Sequence, residues 1–255
     1  SNDKLYNKTT TTQNITVNKT PIIIPEIPEI TIKRGENMTL NFTIYDIYNN
    51  TIDGNTKVTI KINGKTQLDK AKVNGGVVNL SVNTQDMTTG IYKVEVIIQN
   101  SQYETIKTNT TLHITLKTAI VTIDVKPTEV YTKDPVDINI TVFDGVEPVS
   151  DGQIILKING NTLKDNDGNT IKYNLTDGCL NTTLDVIKPA GNVNITAIYT
   201  NDKTYQKAEA TQNITVNKTP IKTSTIAEIE TQLGSNTTLN FKVFDIYNNP
   251  VQGNS

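Results

Sequence analysis

Asparagine is the residue through which this chain could do most of its chemistry. Fifteen asparagines open an Asn-x-Ser/Thr triplet with no proline inside it: Asn7, Asn14, Asn18, Asn37, Asn41, Asn49, Asn79, Asn109, Asn139, Asn174, Asn181, Asn194, Asn213, Asn217 and Asn236. Such triplets are acceptors for N-linked glycans. With 32 Asn, 42 Thr and 7 Ser in 255 residues, composition alone would produce roughly 6 of them. Two causes compete for the excess. One is glycan attachment, for which loop or edge positions such as Asn49, Asn109 and Asn174 suit best. The other is geometric: in a strand reading Asn-Ile-Thr-Val, a two-residue period puts Asn and Thr on the wet face and Ile and Val inside.

Other reactive groups are few. Asp165 to Asn169 reads DNDGN, but with Gly168 at the sixth place of a calcium loop the first place falls on Leu163, so a tight turn around Asp167-Gly168 is expected. A self-formed Lys–Asn crosslink needs a buried Lys, a buried Asn and a carboxylate between them. Lys133 and Asn213 are the candidates, yet Asn213 alternates outward. His113 also points outward, between Leu112 and Ile114, and one His without partners makes neither metal site nor triad. Cys179 reads as a packed thiol at a strand start; a reactive one needs a cationic neighbour. Asp46, Asp144 and Asp245 recur at one module position, where turn capping accounts for them. No catalytic residue, metal site or cofactor is read from the sequence, and no nucleophile–base or paired-acid arrangement suggests an enzyme.

Composition narrows the partners. Net charge is −2, and Arg34 is the single arginine beside 23 lysines. Without a basic excess or guanidinium forks, nucleic-acid binding is disfavoured. No apolar run approaches the roughly 18 residues that span a bilayer. One cysteine allows no internal disulfide, which an extracellular protein in reducing surroundings would tolerate.

The elements that must position these residues come in repeats. TQNITVNKTP runs from Thr12 to Pro21 and again from Thr211 to Pro220, an offset of 199 residues. Leu40–Asn50 (LNFTIYDIYNN) and Leu239–Asn249 (LNFKVFDIYNN) keep that offset. A constant offset over such a length marks a duplicated structural unit. Inside it lie two modules of about a hundred residues. Met38 to Tyr45 (MTLNFTIY) corresponds to Val136 to Phe143 (VDINITVF), and Lys61-Ile62-Asn63-Gly64 returns as Lys157 to Gly160. Leu40, Phe42 and Ile44 alternate with polar residues, as do Val58, Ile60 and Ile62, and no window carries a helical stripe. The organisation expected is residues 1–19 as the last strand of a preceding module, 20–116 and 117–218 as whole modules, and 219–255 as the first strands of a following one. The link HITLKTAIVTID has no Pro or Gly, which predicts limited hinging. Short, regularly spaced strands predict an all-β protein of tandem two-sheet sandwiches with aliphatic cores, arranged as a rod.

Several motifs then carry a resemblance: FDIYNNPVQGN (Phe244 to Asn254), KINGN (Lys157 to Asn161), PAGNVNITAIYTNDKTY (Pro189 to Tyr205) and TQNITV (Thr211 to Val216). Their order resembles the bacterial-type Ig-like repeats of large surface proteins, and with this composition most of all the arrays of methanogen adhesin-like proteins. The resemblance implies an extracellular, cell-surface stalk or adhesive filament of archaea with no catalytic residues to carry over. The first module departs from the pattern: it reads TTGIYKV where the second reads PAGNVNI, and it lacks the second half of the Tyr-Asn-Asp-Tyr pattern, having IQNSQY at Ile98 to Tyr103.

A structural repeat segment, a stiff spacer with candidate N-glycosylation sites, is therefore the expected function. A carbohydrate- or protein-binding adhesion module is the alternative; with no Trp, its sugar-stacking rings would be tyrosines such as Tyr199 and Tyr205. The expected partners are glycans and neighbouring copies of the repeat, or a longer parent chain, completing the two end pieces.

Overall fold

The alternation of apolar and polar residues becomes, in the computed structural model, a series of mostly antiparallel strands around two separate cores. Residues 6–52, 54–145, 147–185, 190–201 and 203–251 are described; Pro189, Asp202 and residues 252–254 of the motifs quoted above lie outside them. None of the described residues is helical. The chain divides into two compact units, Ser1–Leu116 and Lys117–Ser255.

The first unit contains β1 (Ile22–Ile23), β2 (Ile30–Lys33), β3 (Met38–Thr43), β4 (Tyr45–Asp46), β5 (Lys57–Ile62), β6 (Lys65–Lys72), β7 (Val77–Val82), β8 (Gly90–Gln99) and β9 (Ile106–Thr115). One sheet runs β2-β9-β8-β5-β6, with β2 parallel to β9 and the rest antiparallel. The β3-β7 pair faces it. Between them are buried Met38, Leu40 and Phe42 from one side and Val58, Ile60, Val94, Val96 and Leu112 from the other. Each such side chain removed from water stabilises the unit by about 1.5–3 kcal/mol. Asn63-Gly64, both at positive φ, makes the tight β5–β6 hairpin that this dipeptide favours. β6 itself went unread in the sequence, because its exposed face alternates with only Leu68 and Ala71 half-buried.

In the second unit the order returns: β10 (Ile120–Lys126), β11 (Glu129–Tyr131), β12 (Val136–Asp144), β13 (Glu147–Pro148), β14 (Gln153–Ile158), β15 (Asn161–Thr162), β16 (Tyr173–Asn174), β17 (Cys179–Leu184), β18 (Gly191–Thr200), β19 (Ala208–Asn217), β20 (Ile221–Thr223) and β21 (Val243–Asp245). β11-β19-β18-β14-β15 forms one sheet, and β10 and β17 flank β12 in the other. Both modules are thus Ig-like sandwiches. They differ at the first strand. β10 pairs with β12 over seven residues, whereas β1 pairs with β4 over only two, because Pro25 and Pro28 follow it and cannot donate to a ladder.

Two expected strands fail to form. Residues 12–18 carry the sequence of β19 but adopt no strand, and Ile15 is 82% exposed where its twin Ile214 is 2% exposed. Likewise Leu239 and Phe241, counterparts of buried Leu40 and Phe42, are 57% and 51% exposed, and only β21 pairs, with β20. The reason is the same in both places: a strand holds its shape through partners on its edges and a sheet across its face, and neither stretch has them here.

Candidate functional site: asparagine-rich sheet faces

All fifteen triplet asparagines are exposed except the half-buried Asn217. Nine lie in strands: Asn41, Asn79, Asn109, Asn139, Asn174, Asn181, Asn194, Asn213 and Asn217. Among these nine the register brings six together in three directly opposed pairs. Asn41 faces Asn79 across β3–β7, Asn139 faces Asn181 across β12–β17, and Asn194 faces Asn213 across β18–β19. The Nδ2 of Asn139 donates to Oδ1 of Asn181 at 2.8 Å. Three hydroxyls of these six triplets are also engaged: Thr141 Oγ1 bonds Thr122 Oγ1, Thr183 Oγ1 donates to Asp137, and Thr196 Oγ1 bonds Thr211 Oγ1.

The positions favoured from sequence divide. Asn49 lies in a turn at φ 64°. Asn174 ends the two-residue β16, its Oδ1 accepting from Gln153 Nε2 at 3.1 Å. Asn109, by contrast, is inside the ten-residue β9 opposite Glu95 rather than in a loop; β2 joins its other side only from Leu112.

The recurrent aspartates do not share one role. Asp46 accepts the backbone N–H groups of Tyr48 and Asn50 and the side-chain amide of Asn50. The Asn50 backbone N–H is foremost in holding its carboxyl below the usual range. Asp245 makes the same loop with Tyr247 and Asn249. Asp165 repeats it with Asp167 and Asn169, with Gly168 at φ 84°, so the DNDGN carboxylate is occupied by its own turn. Asp144 breaks the expectation of a cap. Its loop is the shorter DGVEP, which has no Asn four residues on, and its Oδ2 instead takes Lys117 Nζ at 2.8 Å and Tyr205 Oη at 3.1 Å.

The remaining candidates do not converge. His113 meets Glu29, Nε2 to Oε2 3.3 Å. Cys179 opens β17 half-buried. Lys133 and Asn213 are both exposed, which removes the burial a Lys–Asn crosslink needs. Tyr199 is fully buried, its pKa pushed up to about 12 chiefly by burial, and its ring packs edge-on against Tyr205 with centroids 6.1 Å apart. It is a core residue, not a platform for a sugar. The alternation Val193, Ile195, Ala197, Tyr199 carried that signal. In the first module Tyr103 bridges to Thr20 as Tyr205 does to Lys117, and Asn100 caps its turn as Asn201 does, so the apparent departure at IQNSQY keeps both working positions.

No known family profile matches the sequence, and no curated protein matches it. Solved structures do. A structure of fibronectin(III)-like modules of Clostridium thermocellum CbhA aligns over 77% of this chain and 94% of its own, at 13% identity and TM-score 0.33. Titin domains Z1Z2 in complex with telethonin align over 79% and 99%, at 12% identity and TM-score 0.43. A tetra-tandem repeat from the extending region of a large adhesion protein aligns over 89% of this chain and 56% of its own, at 16% identity and TM-score 0.38. The likeness is one of β-sandwich domains in series; the strand order above defines the fold.

Proposed function

We propose that this chain is a structural repeat segment of an extracellular stalk or filament of an adhesin-like cell-surface protein, a stiff spacer carrying N-linked glycans on part of its wet faces. The observation that supports this most is self-containment. Each sandwich has its own core, and the two cores share no residue, so length can be added by copying modules without redesigning any of them. The wet faces are Asn- and Thr-rich, and Asp46 and Asp245 build the same loop 199 residues apart. In this reading the stretch 6–19 and the pair β20–β21 are completed by neighbouring copies or by a longer parent chain. Burial of Tyr199 takes away one of the two rings named for the sugar-stacking alternative, and Tyr205 is half-buried.

Chains carrying one, two and three copies of the 199-residue unit test the proposal. Small-angle scattering should show the longest dimension rising by an equal step with each copy. A dimension that levels off, or one that varies widely within a sample, would mean modules that collapse or swing freely. Protease shaving of intact cells should release the segment.

A further inference from the structure

The three opposed asparagine pairs restrict where sugar can go. In an antiparallel pair, directly opposed residues hold their Cβ atoms about 4.5–5.5 Å apart. A pyranose ring with its hydroxyls is wider than that gap. The amide of Asn139 already spans it to Asn181, and an Asn bearing one sugar retains one N–H with which to do so. A second sugar on the opposite amide would need the space that the first occupies.

The folded sheet also withholds the acceptor itself. Along a strand the Asn and the Thr of a triplet stand two residues apart, about 6.6 Å. The hydroxyls of Thr141, Thr183 and Thr196 are engaged across the strands by Thr122, Asp137 and Thr211. Transfer to Nδ2, which forms the C–N bond to the sugar, displaces the sugar's leaving group and releases one amide proton, therefore belongs to the unpaired chain at Asn139, Asn181 and Asn194.

Resting on the glycoprotein reading above, we propose that each opposed pair (Asn41/Asn79, Asn139/Asn181 and Asn194/Asn213) carries a single N-linked glycan, attached at Asn139, Asn181 and Asn194 before the strands pair. Isolated triplets at turns and short strands, Asn49 and Asn174, obey no such limit. A chain that acquires two sugars on one pair cannot close that pair of strands and does not reach the surface folded.

Glycopeptide mass spectrometry of the protein from its own cells measures fractional occupancy at every site. The expected result is that occupancies within each pair sum to more than zero and not more than one. Replacing Asn139→Gln should raise occupancy at Asn181, while Asn49→Gln should leave every other site unchanged. A pair whose sum exceeds one, or any pair empty while another of the fifteen sites is filled, would overturn the single-glycan rule while leaving the glycoprotein reading intact. Sugar at none of the fifteen sites would instead overturn that reading, and the rule with it.

Discussion

The hydroxyl of Tyr199 donates to the backbone carbonyl of Asp151 at 2.7 Å, and this contact explains why the next residue is glycine. A Cβ on Gly152, which sits at φ +113°, would stand 2.4 Å from Cε2 of the Tyr199 ring. The Tyr199 ring, its hydroxyl bond and the bare backbone of Gly152 form one packed corner.

Tyr199→Phe should destabilise the second unit by about 1–2 kcal/mol, since the Asp151 carbonyl loses a donor while the ring stays. Gly152→Ala should cost more, on the order of 2–4 kcal/mol, because the ring must move and the backbone is strained as well. Denaturant midpoints of the full chain, followed through hydrogen exchange of the β18 amides, would show both. An alanine at 152 as stable as glycine would contradict the close approach.

Lys117 and Asp144 predict a pH dependence. The Lys117 ammonium foremost, with Tyr205 helping and burial opposing, holds the Asp144 carboxyl below its ordinary 3.8; Lys117 also lies 5.7 Å from the Tyr205 ring centroid. A depressed carboxylate contributes stability that is complete above its unfolded pKa and is lost as pH falls through the folded one. Asp144→Asn should therefore lower the stability of the second unit by about 1 kcal/mol at pH 6. The gap to the native chain should narrow as pH falls below 3.8 and through the lower folded value of Asp144. A gap independent of pH would assign the loss to packing instead.

Thr84 is a buried hydroxyl with two duties. It donates to the carbonyl of Glu36 at 2.7 Å and accepts the N–H of Met38 at 3.0 Å, holding the start of β3 to the segment after β7. Thr84→Val keeps the shape and removes both bonds, at a cost of about 1–3 kcal/mol, whereas Thr84→Ser keeps both. Thermal melts of the first unit should rank native, then Ser, then Val.

One substitution made twice separates sequence from context. Ile214→Ala should cost about 2–5 kcal/mol. Ile15→Ala, the same change in the same ten residues, should stay within about 0.5 kcal/mol in the dilute chain. Equal losses at the two places would show that residues 12–18 are packed in solution.

Much of the architecture was legible residue by residue. Leu40, Phe42 and Ile44 face inward as their spacing predicts, Asn63-Gly64 turns the chain, and Asp46 and Asp245 cap the loops expected of them. Asp144 was not legible as an ion-pair partner. Its Lys117 lies 27 residues away, and nothing local ties the two until β10 returns beside β12. The fifteen triplets could be counted in advance, but not which of them face each other, because opposition depends on register between strands as many as 42 residues apart.

Spacing and turn chemistry belong to the sequence alone: an all-β chain, its strand faces, its tight hairpins and its 199-residue repeat follow from the period of apolar residues and the few side chains that tolerate positive φ. Whether a given stretch becomes a strand at all was decided in three dimensions. TQNITVN is β19 beside β18 and β11 and an exposed thread at residues 12–18, for a β-strand's hydrogen bonds and its buried face are supplied by other strands, and no run of seven residues contains its own partners.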